Sequence, residues 1–190
     1  MNTETEIQKK TNLSAYDNRW YKTGAGKVKM ILWYFTNVFF FISALNPSSG
    51  LKVFLLRLFG ARIGKGVVIK PSVNIKYPWR LEIGDYTWIG EKVWIDNLEN
   101  VKIGANCCIS QGAMLLTGNH DYRKTTFDLI TKGIILEEGS WIGAFAIVCP
   151  GVTVKSHAVL AVNSVASETL QPYSVYKGNP AQYIRERTLS

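Results

Sequence analysis

The sequence is poor in the side chains that bind metal ions. Its 190 residues contain two histidines, His120 and His157, so the three-histidine zinc site of a carbonic anhydrase is excluded. Of the three cysteines, Cys107 and Cys108 are adjacent and lack metal-ligand spacing, and Cys149 stands alone. We therefore expect no metal and no disulfide, but small buried thiols in a reducing compartment.

The chain also lacks an apolar run long enough to span a bilayer. Residues 30–45 contain no charge, and Pro47 interrupts the run before it reaches the roughly 20 residues that a spanning helix needs. A second apolar segment, residues 51–59, carries only Lys52 and Arg57. We expect helices in both segments. The first 29 residues are polar and charged, so we expect no cleavable leader and a cytoplasmic protein.

Two interpretations of these apolar segments stay open. The helices pack on the rest of the protein or on a neighbouring subunit, or residues 28–59 make a peripheral contact with an anionic membrane. Of the net charge of +8, residues 1–62 contribute +6, from nine Lys or Arg against three acids. No nucleic-acid-binding motif accompanies this charge, so nucleic acid is not an expected partner. The membrane interpretation relies on Lys22, Lys27, Lys29, Arg57 and Arg62.

What the sequence does contain is a six-residue repeat of aliphatic side chains. Ile, Leu or Val recurs every six residues in four runs, at 63, 69, 75 and 81, at 83, 89, 95 and 101, at 103, 109 and 115, and at 136, 142, 148, 154 and 160. A helix would repeat every three to four residues and an isolated strand every two. Period six is typical of a parallel β-helix, in which three short strands and three tight corners make one coil.

The repeat predicts an all-β solenoid over residues 63–170, with an excursion loop at 117–133. Residues 1–62 would form a polar tail and the apolar helices, and residues 171–190 a turn and a short helix over 181–187. Each coil stacks on the next at about 4.8 Å, so stability comes from neighbouring coils. Glycine is expected at corners where a side chain would clash, at Gly64, Gly84, Gly90, Gly104 and Gly143.

The interruption of the repeat is where chemistry is expected. His120 lies at its start, in Thr-Gly-Asn-His-Asp-Tyr at 117–122. A neutral imidazole titrates near physiological pH, which suits it to removing a proton from a hydroxyl. Asp121 would orient the ring poorly from an adjacent position, and a backbone carbonyl could do so instead. His157 lies within the repeat and outside any motif, so we expect a structural role for it.

These strings resemble those of known acetyltransferases. Gly-Asn-His-Asp-Tyr resembles the catalytic loop of the sugar O-acetyltransferases, and residues 101–185 resemble the maltose and galactoside O-acetyltransferases. Ile-Ser-Gln-Gly-Ala at 109–113 and Phe-Asp-Leu-Ile-Thr-Lys at 127–132 resemble the colanic acid biosynthesis acetyltransferases more closely. The resemblance implies a left-handed β-helix, although right-handed crossovers are the common ones. It also implies transfer of acetyl from acetyl-CoA to a sugar hydroxyl in exopolysaccharide biosynthesis, with His120 as the general base.

The resemblance further implies a homotrimer whose coenzyme A groove lies between adjacent prisms. Matching positions predict donor-binding residues at Ala144, Val162, Ser167 and Arg185, with Lys177 as a further phosphate partner. The sequence departs from the family at Glu168 and Gln182, where basic residues are usual.

The acceptor is expected to be a sugar or a lipid-linked saccharide. Asp96 and Asn97 lie about one coil before His120 and are predicted to bind sugar hydroxyls, although a polar corner would explain them equally well. Trp88, Trp94 and Trp141 could stack on a sugar or pack between subunits. Transfer to a small molecule or an amino sugar, and an inactive interaction module, remain the alternatives.

Overall fold

The computed structural model describes residues 9–190 and shows a triangular prism of parallel strands whose first coil is covered by helices. A short 3-10 turn (Leu13–Ala15) precedes α1 (Lys27–Thr36), which continues as a π-helical segment (Asn37–Ile42), and α2 (Ser49–Leu58) follows. The predicted left-handed parallel β-helix with N-terminal helices is confirmed. Among residues 9–190, none of the helices combines the length and the apolar character needed to cross a bilayer.

Three parallel five-strand stacks form the faces of the prism. The first face contains β1 (Arg62–Ile63), β4 (Leu81–Ile83), β7 (Val101–Ile103), β12 (Ile134–Leu136) and β15 (Thr153–Val154). The second contains β2 (Val68–Ile69), β5 (Trp88–Ile89), β8 (Cys108–Ile109), β13 (Trp141–Ile142) and β16 (Val159–Leu160). The third contains β3 (Asn74–Ile75), β6 (Trp94–Asp96), β9 (Met114–Leu116), β14 (Ile147–Val148) and β17 (Val165–Ala166).

The repeat positions that the sequence predicted all belong to the hydrophobic core. Each of the sixteen is buried, with Ile63 the most exposed at 9%. The strand register stacks them in columns, so that Ile69 pairs with Ile89 and Ile89 with Ile109. Each buried aliphatic stabilises the fold by roughly 1.5–3 kcal/mol.

The corners use two different devices. The predicted glycines sit where the next coil approaches closely, and a Cβ on Gly84 would lie 2.5 Å from the backbone nitrogen of Ala105. Three residues after eleven of the sixteen repeat aliphatics, the backbone turns through a positive φ, and these positions hold either glycine or a larger residue such as Tyr86 or Phe145. The sequence did not reveal this second device, because the residue types vary and packing of the coils imposes the conformation.

Side chains of the N-terminal helices cap the free edge of the first coil. Backbone groups alternate along each strand of that coil: Val68 and Lys70 donate to the second coil, whereas the N–H and C=O of Ile69 face the prism end. Ser49 Oγ lies 3.0 Å from the nitrogen and 3.1 Å from the oxygen of Ile69, and serves both. Trp33 Nε1 donates to the oxygen of Ile75 at 2.9 Å. The inner side of the helices therefore packs on the prism, as one interpretation predicted.

Two sequence predictions outside the repeat need correction. The C-terminal segment is not a helix: β18 (Ser174–Lys177) extends the second face beside β16, and β19 (Gln182–Glu186) pairs antiparallel with β18. An unpaired sheet edge favours another strand over local helix propensity. The excursion is also regular, because β10 (Gly118–His120) and β11 (Leu129–Thr131) form an antiparallel hairpin.

Candidate active site

His120 is held on a hairpin that leaves the prism at the corner between its third and first faces. His120 pairs with Leu129 across the hairpin. The hairpin is anchored by Thr117, which is fully buried and donates its N–H (3.2 Å) and its hydroxyl (2.9 Å) to the oxygen of Asp96. The imidazole therefore stands on a hydrogen-bonded support rather than on an irregular loop.

The surroundings of the imidazole determine which nitrogen can act as a base. His120 Nδ1 lies 2.9 Å from the carbonyl oxygen of Phe127. Because a carbonyl can only accept, Nδ1 carries the hydrogen and the lone pair of the neutral ring resides on Nε2. The Phe127 ring stacks on the imidazole at 4.4 Å and 8°. The half-buried ring thus has a fixed tautomer and orientation.

Neither Phe127 nor Tyr16 was predicted at this site. The Tyr16 ring centroid lies 5.8 Å from that of His120, and the nearby Asn12 N–H donates to the oxygen of Thr125 at 2.7 Å. The N-terminal segment thus packs on the hairpin. Phe127 belongs to the string 127–132 noted in the sequence, whereas nothing local marks Tyr16, because its contact spans over a hundred residues.

Asp121 does not hold the imidazole. Its Oδ1 accepts from the backbone nitrogen (3.2 Å) and Nε (3.1 Å) of Arg123. The Arg123 guanidinium accordingly holds the pKa of the Asp121 carboxyl below its usual value. The expectation that a backbone carbonyl orients His120 is met by Phe127.

A groove of 720 Å³ runs along the second face and its corner with the third. It is lined by apolar side chains such as Trp141, Val162 and Leu160, with Ser110 and Gln111 supplying polar atoms and β19 supplying Arg185. The volume lies within the range of small-molecule sites. An apolar trench that ends at a guanidinium suits a long ligand with a phosphate end.

Three of the five predicted donor-binding residues line this groove, namely Ala144, Val162 and Arg185. Ser167 and Lys177 are exposed and lie outside it. His120 does not line the groove either, because the third face separates its corner from the groove. One chain therefore does not bring the imidazole and the groove together.

The two predicted acceptor residues differ sharply. The Asn97 side chain is fully buried, and it accepts from the Tyr77 nitrogen (2.9 Å) and donates to the Tyr77 oxygen (2.6 Å). This amide is closed to solvent and bonded to the Tyr77 backbone, which is the polar-corner arrangement and gives no support to the predicted sugar contact. Asp96 instead borders a cleft of 400 Å³ between α1, the π-helical segment and the third face.

This second cleft, the aromatic cleft, also contains Tyr77, Trp79 and Trp94. Lys76 Nζ lies 2.9 Å from Asp96 Oδ1 and forms an ion pair with it. This buried oxygen has no hydrogen bond of good geometry. Aromatic rings beside charged groups suit a polar ring with apolar faces.

The remaining candidates have structural surroundings. His157 stacks on Tyr173 at 4.7 Å and 2° and covers Gly139. Burial raises the pKa of the Cys107 thiol, so the reactive thiolate is disfavoured there. Within the described part of the chain, no group of three His, Cys, Asp or Glu could hold a metal.

Comparison with known proteins places these features in a family. No family model matches the chain. The chain is 40% identical over 164 residues to the "Putative colanic acid biosynthesis acetyltransferase" of Escherichia coli K12, covering 86% of this chain and 90% of that protein.

Two solved structures share the fold. A hexapeptide-repeat acetyltransferase from Vibrio cholerae matches with a TM-score of 0.77 at 23% identity, over 87% of this chain and 95% of that one. A hexapeptide-repeat acetyltransferase from Vibrio cholerae O1 in complex with acetyl-coenzyme A matches with a TM-score of 0.70 at 25% identity. The match covers 76% of this chain and 81% of that one.

Proposed function

Because the chain belongs to the family of the colanic acid biosynthesis acetyltransferases, we propose that it transfers acetyl from acetyl-CoA to a saccharide hydroxyl, with His120 as general base. One observation carries the proposal: Nδ1 of His120 is tied to the carbonyl of Phe127, which leaves Nε2 free to accept a proton. The name of the relative favours an acceptor in exopolysaccharide biosynthesis.

The chemistry needs no covalent enzyme intermediate. Nε2 takes the proton of the acceptor hydroxyl as its oxygen attacks the thioester carbonyl carbon. The carbon–sulfur bond breaks, and the proton passes from the imidazolium to the leaving thiolate, so that an ester and free coenzyme A result. The phenyl ring of Phe127 and the hairpin keep the imidazole in place for both proton transfers.

The donor and acceptor sites follow from the two clefts. The 720 Å³ groove offers Ala144 and Val162 to the pantetheine arm and Arg185 to a phosphate. The aromatic cleft offers Asp96 and Trp94 to a sugar ring. Since the groove and His120 lie at different corners, we propose a homotrimer in which the histidine of one protomer serves the groove of the next. Ser167 and Lys177 would then meet the donor only in the assembly.

The test replaces the proposed base, His120, and uses a substitution of the adjacent Asp121 as its control. His120→Ala should lower kcat by roughly 100- to 10,000-fold, as expected for loss of a general base, with coenzyme A affinity unchanged. The control Asp121→Asn should retain activity within about threefold, because its carboxylate bonds Arg123 and not the imidazole. Coenzyme A release and product mass are measured with acetyl-CoA and candidate saccharides. An active His120→Ala enzyme would remove the histidine from the reaction.

A further inference from the structure

The N-terminal helices leave a broad apolar surface on the side away from the prism. Twelve large hydrophobic side chains between residues 28 and 58 are 39–92% exposed. We call this set the apolar N-terminal surface: Val28, Ile31, Leu32, Tyr34, Phe35, Phe39, Phe40, Ile42, Leu45, Leu51, Phe54 and Leu58. A scattered exposed leucine is ordinary, but a clustered apolar surface marks an interaction site.

The exposed side of α2 is unlike that of a helix whose outer side faces water. α2 buries Lys52 completely, and Lys52 Nζ donates to the oxygens of Ile69 and Lys70 at 3.3 and 3.0 Å. The same helix leaves Phe54 61% and Leu58 66% exposed. An ordinary surface helix turns its lysine outward and its leucine inward. The inner side of these helices therefore buries Lys52 beside apolar residues such as Leu56 and Trp33, and the remaining apolar side chains are presented outward.

The stretch of sequence that contains this surface carries charge of one sign. From residue 18 to residue 81 the chain has eleven Lys or Arg and no Asp or Glu. The charge of Arg62 is offset by its pairing with Glu82, whereas Arg57 keeps its charge and its guanidinium is held on the oxygens of Ile63 and Gly64.

The lysines remain available. Among residues 9–190, Lys22 and Lys27 have no carboxylate within ion-pair distance. Lys27 also borders a shallow apolar depression with Ile31, Tyr34 and Phe35.

We propose that the apolar N-terminal surface docks on an anionic lipid bilayer, with its aromatic and aliphatic side chains among the acyl chains and the lysines at the headgroups. A second copy of the chain fits less well, because pairing two identical surfaces would bring the same lysines together. Docking stands independently of His120. If the proposed function holds, docking would also bring a lipid-linked saccharide to the aromatic cleft, because Met30, Trp33 and Tyr34 of α1 line that cleft.

The test is sedimentation of the full chain with vesicles of phosphatidylcholine alone or with about 30% phosphatidylglycerol. Binding should require the anionic lipid and weaken with salt. The double variant Ile31→Ser/Phe54→Ser should bind at least about tenfold more weakly. The control Ile184→Ser/Phe145→Ser removes equally exposed residues, 55% and 60% against 57% and 61%, and should bind like wild type. Lys27→Gln should weaken binding roughly fivefold and Lys102→Gln should not.

Several outcomes would overturn the proposal. Wild type could fail to bind vesicles, could bind neutral vesicles equally well, or could lose no more binding in Ile31→Ser/Phe54→Ser than in the control double variant. If Ile31→Ser/Phe54→Ser changed only the oligomeric mass, the surface would be assigned to contact with a second copy of the chain. The dependence of wild-type binding on anionic lipid can be measured even if a variant fails to fold. His120→Ala should bind vesicles normally, so failure of docking and failure of the chemistry are separable.

Discussion

At the scale of single residues, the contact between His120 and Phe127 shows how one carbonyl can decide a chemical role. The residue type, the motif and the position of the histidine could be predicted from the sequence, because a break in a strict repeat is conspicuous. Its orienting partner could not, since a backbone oxygen seven residues away carries no signature of its own. The same limit applied to Asn97, whose amide type suited a sugar as well as it suits the Tyr77 backbone it actually bonds.

Lys52 provides a residue-scale test of the packing. Burial lowers the pKa of Lys52 below its ordinary value of 10.5. Between the lowered pKa and 10.5 the unfolded chain binds more protons than the folded one, so the free energy of unfolding rises with pH across that window. Lys52→Met lacks the group, and the stability of wild type relative to this variant should rise as the buffer becomes alkaline. Denaturant unfolding of both proteins at several pH values measures the difference, and a flat or falling difference would contradict burial of a charged lysine.

At the scale of elements, the inward positions of the coils were predictable and the ends were not. Period six fixes which aliphatic points inward, and all sixteen positions do so. The C-terminal strand β19 was mistaken for a helix because its stabilising partner is the exposed edge of β18, and local sequence does not encode an edge. The capping of the first coil by Trp33 and Ser49 was hidden for the same reason.

The corners allow a matched pair of glycine substitutions. Gly84→Ala should lower the free energy of unfolding by roughly 1–3 kcal/mol, because its methyl group would press on the Ala105 backbone and neither can move away. Gly50→Ala, with nothing within 4 Å, should stabilise α2 by about 0.5 kcal/mol. Urea unfolding compares the two variants with wild type. Equal effects would mean that coil spacing does not explain glycine at the corner.

At the scale of the whole molecule, the separation of His120 from the groove is the main argument for assembly. A homotrimer should sediment at three times 21.3 kDa. Ala144→Trp should block the groove, and mixed oligomers of this variant with His120→Ala should regain activity that neither has alone. Random mixing in a cyclic trimer restores about a quarter of the sites if the two parts come from different protomers. No recovery would place both parts in one chain.

The position of the capping helices along the chain has a consequence for how the protein is made. Backbone hydrogen bonds join each coil to the coils before and after it, and the helices that satisfy the free edge of the first coil precede that coil in the chain. The ribosome therefore releases the capping helices before the β-helix, and each new coil can pair with a coil that has already formed. Synthesis and folding can advance in step, with a single growing rim open to the solvent at any moment.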